Sequence, residues 1–221
     1  MVSACPSLVV VPPLVAVPAG RFRMGSETGR PDESPVRFAQ VAAFRLGRTP
    51  VTNAQYAPFL STGGAEAPPW WREAAFAAPS QPVVGVTWFE AVAYAAWLSA
   101  AAGGVFRLPT EAEWERAARG GIESAATAWG ESLPDGEIPD GPLKGPWPAG
   151  RGTPNGFGLC DMGTIVHEWC EGAYPGDPPR RASRGGSWRH RVRWSSPAAR
   201  SSLLPELRYA DYGFRVLKEG A

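Results

Sequence analysis

Residues 128–158 carry no pattern with the period of a helix or a strand, and proline or glycine interrupts them every few positions. A chain with so long a stretch of this kind must hold it as ordered loop around a core built elsewhere, or leave it disordered. The rest of the composition argues against disorder. Gly (26) and Pro (24) are abundant, but 10 Trp, 9 Phe and 5 Tyr accompany them. Chains that stay unfolded lack that much aromatic surface. One α+β domain spanning residues 1–221, with a small core and many ordered loops, is the expectation.

Local patterns place the elements. Residues 8–17 are rich in Val and Leu but broken by Pro12-Pro13, which suggests short edge strands. Residues 21–24 alternate polar and apolar and stop at Gly25, as a half-buried strand does, and residues 36–44 read as a further strand. Thr52, Thr87 and Thr110 each stand three positions before Gln55, Glu90 and Glu113. That spacing lets the Thr oxygen and the later side chain cap each other's backbone N–H, so three helices are predicted. The second should cover residues 88–101 with Ala91, Tyr94, Ala95 and Leu98 inward. The third should cover 111–119, and Pro58 should shorten or kink the first.

The totals exclude several classes. A formal net charge of +1 provides no field to recruit nucleic acid or an anionic membrane. Residues 3–20 are apolar but contain four prolines and no basic start, so neither a signal peptide nor a membrane helix is expected and a cytoplasmic location is the default. Cys5, Cys160 and Cys170 form neither a disulfide framework nor a zinc pattern. With only His167 and His190, a His-rich transition-metal site is not expected on ligand count.

Two stretches carry candidate chemistry. Asp161 and Glu168 can supply carboxylate oxygens, and irregular backbone between them can turn the carbonyls of Thr164 and Val166 to the same point, a mixture suited to calcium. The same residues are open to a structural use, with Asp161 capping a turn and Glu168 a solvated strand residue. The second stretch, residues 184–216, begins Arg-Gly-Gly-Ser-Trp and ends Gly-Phe-Arg-Val. Its glycine pair suits a tight turn or close backbone approach. Its last residues read as a strand with Phe214 and Val216 on one face and Arg215 and Leu217 on the other. Between these ends no period survives. Pinned ends with irregular residues between them describe either a presented binding surface or an ordinary loop.

Phe22 to Ser26, Pro50 to Tyr56, Pro82 to Trp88, Arg107 to Glu115, Asn155 to Leu159, the Glu168-Trp169 pair and the two ends of 184–216 resemble, in order, the motifs of the formylglycine-generating enzyme (sulfatase-modifying factor) family. The resemblance implies a C-type lectin-like fold with a small antiparallel sheet, two main helices and long loops. It also implies a structural calcium site on Asp161, Thr164, Val166 and Glu168. The sequence departs from the family there, with Thr164-Ile165 where Gly-Asn is usual and His167 where an aromatic is usual. It departs again in catalysis. Family members that oxidise a sulfatase cysteine use two cysteines after Gly-Gly-Ser-Trp, and residues 189–200 contain none. No redox cofactor is therefore expected.

Position and motif also resemble the variable proteins of diversity-generating retroelements, which share this fold and diversify the segment between the same two motifs. The function this implies is ligand binding without catalysis, through a variable region at 184–216. Arg189, His190, Arg191, Arg193, Leu203, Leu204, Leu207, Tyr209, Ala210 and Tyr212 are the candidate exchangeable residues. The partner would be a protein or other macromolecule, with neither nucleic acid nor membrane involved. A sulfatase-modifying oxidoreductase, or another enzyme on the same fold, is the alternative.

Overall fold

The computed structural model describes residues 9–139, 143–190 and 195–220. Strand β1 (Leu14–Val17) lies at a sheet edge, where its preceding prolines remove no needed donor, and pairs antiparallel with β4 (Phe44–Gly47). Between them β2 (Gly20–Met24) and β3 (Arg37–Val41) pair with each other. The strand expected across 36–44 is thus divided, because the chain leaves one sheet for another at residues 42–43.

Helices α1 (Asn53–Ser61), α2 (Trp88–Ala102) and α3 (Glu111–Ala118) all begin at the expected threonines. Thr52, Thr87 and Thr110 accept from the N–H of Gln55, Glu90 and Glu113, whose side chains return to the cap N–H. Ala91, Tyr94, Ala95 and Leu98 are buried as expected. Pro58 sits inside α1, which runs only 9 residues.

Strand β5 (Phe106–Arg107) and the closing β10 (Leu217–Lys218) complete a four-stranded sheet in the order β1-β4-β10-β5. A second four-stranded sheet, in the order β8-β7-β6-β9, is built from β6 (His167–Tyr174), β7 (Asp177–Arg184), β8 (Arg200–Leu203) and β9 (Tyr212–Gly213). Strand β9 runs parallel to β6, so this sheet is mixed, whereas the first is the small antiparallel sheet expected.

The closing strand starts only at Leu217 and residues 214–216 lie outside any strand, yet the two faces separate as predicted. Phe214 and Val216 pack with α1 and α2, while Leu217 packs into the other large cluster, beside Trp114. All three lie between the two cores at 0% exposure. The aromatic centre is tight: Tyr94 stacks on Tyr56 at 5.4 Å and meets the Phe214 ring edge-on at the same separation. Removing the Phe214 ring would cost about 3–5 kcal/mol through lost burial and the cavity left behind.

Residues 128–158 contain no helix or strand among the described residues, and specific bonds hold them in place. Asn155 donates to the Ala117 carbonyl at 2.8 Å, Ala149 N–H to Ser80 at 2.8 Å, and Thr153 N–H to the Glu137 carboxylate at 2.9 Å. Loop order here comes from capturing backbone groups, not from periodic packing.

Candidate functional site

The irregular C-terminal stretch rests on a buried ionic frame. Arg184, at the end of β7, is 1% exposed and donates to Glu115 and to Glu111 (3.3 Å) on α3, and to the Pro197 carbonyl at 2.9 Å. Glu115 also accepts from Arg119 at 2.6 Å and from Gly25 N–H at 2.7 Å, and Glu111 accepts from Arg200. Two acids one helical turn apart thus fix Arg119 on their own helix and Arg184 and Arg200 from distant strands. Beyond Arg184, Gly185 adopts φ +77°, and a Cβ there would lie 2.7 Å from the Gly163 Cα. Gly185 therefore serves both a left-handed turn and a close backbone approach.

Above this frame the candidate recognition residues divide. Arg189 and His190 are exposed, Tyr209 is 43% exposed, and Leu203, Leu204 and Leu207 are half-buried. Arg191 and Arg193 lie outside the described residues. Ala210 and Tyr212 depart from the expected exposed face, at 2% and 7% exposure. The parallel pairing of β9 with β6 draws them inward. Ala210 packs into the third core cluster beside Ile165 and Val166. The Tyr212 ring packs 4.7 Å from His167, and its hydroxyl lies 3.0 Å from Ser201 Oγ.

A cavity of about 910 Å³ opens near the frame, bounded by Arg23, Ser26, Arg30, Glu33, Arg119 and Ser196. Spacing did not point to it, because its walls come from three separate segments.

At the expected calcium residues, Asp161, Thr164, Val166 and Glu168 are all fully or almost fully buried. Glu168 is not a solvated strand residue. Its oxygens accept from Arg215 at 2.6 and 2.7 Å and from the Trp114 indole at 2.7 Å, which leaves one lone pair of four. Asp161, at φ +59°, accepts from Gly150 N–H through Oδ2 at 2.7 Å. Its Oδ1 and the Thr164 hydroxyl are buried with no hydrogen-bond partner. Burial pushes the Asp161 carboxyl above its ordinary pKa, and Trp147 lowers it slightly without an aligned hydrogen bond. Two orphaned oxygens suit a hard cation, while Arg215 already neutralises Glu168.

Among the described residues the thiols are buried. Cys160 and Cys170 are free and buried, and desolvation raises both thiol pKa values, the reverse of what a reactive thiolate requires. Spacing did not reveal that His167 and Asp211 converge on His190, since the three come from different strands and loops. Having only two histidines in the chain, and finding them together, is the signal that was available.

The description of the sulfatase-modifying factor enzyme 1-like domain matches residues 5–220. Formylglycine-generating enzyme of Thermomonospora curvata is 32% identical over 91% of this chain and 92% of its own length. That of Mycobacterium tuberculosis is 33% identical over 93% and 97%. Among solved structures, PvdO from Pseudomonas aeruginosa superposes with a TM-score of 0.83 at 27% identity, covering 95% of each chain. Treponema denticola variable protein 1 gives 0.78 at 21% identity, covering 94% and 95%, and so shares the fold.

Proposed function

We propose that this chain, which belongs to the sulfatase-modifying factor enzyme 1-like domain family, is a ligand-binding protein that keeps the family scaffold without its thiol chemistry. The observation that carries this reading is the absence of cysteine from residues 189–200, together with full burial of the two described thiols. An oxidase that works through a cysteine pair needs accessible, low-pKa sulfur at that face. What the face offers instead is Arg189, His190, Leu203, Leu204, Leu207 and Tyr209 on irregular backbone. Exposed arginine and tyrosine supply much of the energy in protein recognition. Residues of this kind, anchored on a rigid frame, could be exchanged from copy to copy with little cost to the fold.

The reading is tested by replacing Arg189, Leu204, Leu207 and Tyr209 together. The melting temperature should fall by less than about 10 °C, because substitutions away from the core cost little. A larger fall would make them structural. Sequencing the same locus from several isolates separates a variable face from a fixed one. An excess of substitutions at these positions is expected, and none at buried Ala210 or Tyr212.

A second reading, a sulfatase-modifying oxidoreductase or another enzyme on the same fold, is favoured by the 32–33% identity to named formylglycine-generating enzymes over nearly their full length. Calcium belongs to the proposal as a structural ion held by Asp161, the Thr164 and Val166 carbonyls and the remaining lone pair of Glu168. Addition of calcium should raise the melting temperature of the parent, and Asp161→Asn should abolish the rise. An unchanged melting temperature in the parent would remove the ion.

A further inference from the structure

We propose that His167, His190 and Asp211 form a binding site for one divalent transition-metal ion of the zinc or iron(II) class. One donor atom from each lies within 4.8 Å of the other two. The imidazole rings approach edge-to-face, with centroids 4.8 Å apart.

The hydrogen bonds around the three residues select the ligating form. His167 Nδ1 lies 2.7 Å from the Gly185 carbonyl, which can only accept, so Nδ1 carries the proton and Nε2 keeps its lone pair. Ser187 donates its hydroxyl proton to Asp211 at 2.9 Å and thus accepts from His190 Nδ1 at 3.2 Å. His190 is thereby set in the same tautomer. Metal-binding histidines are typically fixed in just this way, through the nitrogen that does not ligate.

The arrangement does not suit nucleophilic hydrolysis, because the serine lies between the histidine and the carboxylate instead of at the end of the relay. Two imidazoles and one carboxylate match zinc, iron(II) or copper(II) better than calcium or magnesium. Donors on a tetrahedral zinc stand about 3.4 Å apart, so the set must close by roughly 1.4 Å. His190 is the exposed member of the three, while His167 and Asp211 are buried. Three protein ligands leave a position open toward the exposed face, where a water or an anionic group of the bound ligand can enter.

The site holds whether or not its neighbours vary, although a bound ion makes His190 a fixed member of the face. It also differs from the Asp161 site in donor type. The test uses the untagged full chain, stripped with EDTA and titrated with zinc by calorimetry and with cobalt by visible absorption. One equivalent should bind, excess calcium should not compete, and His190→Ala should weaken binding at least tenfold while leaving the melting temperature of the stripped protein unchanged. No other histidine exists in the chain to substitute for His190 and His167. Absence of saturable binding, competition by calcium, or a loss smaller than tenfold in His190→Ala would overturn the assignment.

Discussion

At the residue scale, Arg215 stands at 0% exposure with its guanidinium forked onto Glu168 and its remaining N–H groups on the carbonyls of Gly47, Arg48 and Cys160. A buried ion pair adds little net stability over an apolar replacement of both partners, but removing one partner strands the other charge. Arg215→Ala should therefore destabilise the protein by about 3–5 kcal/mol in urea unfolding. A loss below about 1 kcal/mol would mean that water reaches Glu168 once the side chain is gone. This pairing also explains why Glu168 could be read two ways from spacing alone. Its partner lies 47 positions later, outside any local pattern.

At the scale of elements, the helix starts are the most local features and were fully legible. Each needs only a threonine, an acid or amide three residues on, and an apolar run. Thr87→Ala removes the hydroxyl that accepts from Glu90 N–H at the start of α2, while the Glu90 carboxylate keeps the backbone N–H of residue 87 and holds Arg208 at 2.6 Å beside the candidate face. Its cost should be about 1 kcal/mol in stability, read from the unfolding midpoint, and a neutral result would place the cap outside the folding energetics. Strand β9 shows the opposite case. It pairs only two residues, Tyr212 and Gly213, and does so in parallel with a strand some 45 positions earlier. Nothing within residues 203–212 announces that pairing, so Ala210 and Tyr212 read as exposed when they are core. Of the glycine pair, Gly185 was legible because its backbone geometry demanded it. The carboxylate–arginine frame was not, since Glu111, Glu115, Arg184 and Arg200 meet only after α3 packs on β7.

At the scale of the whole molecule, fold and chemistry separate. The motifs that resemble the family are mainly those that build caps, turns and the two buried arginine–glutamate pairs, and the family match spans residues 5–220. The redox sulfur of the family's cysteine-oxidising members belongs to one short segment, and in this chain that segment carries arginines, Trp194 and His190 instead. A scaffold so heavily cross-linked by buried hydrogen bonds can lose or exchange such a segment without losing its shape. No helix among the described residues is long and apolar enough to cross a membrane. The most direct test is to incubate the purified chain, with and without added copper, with a cysteine-containing sulfatase peptide and to follow the peptide by mass spectrometry. The peptide should be recovered with its thiol intact under both conditions; conversion of that cysteine to the aldehyde would contradict a scaffold that binds without thiol chemistry.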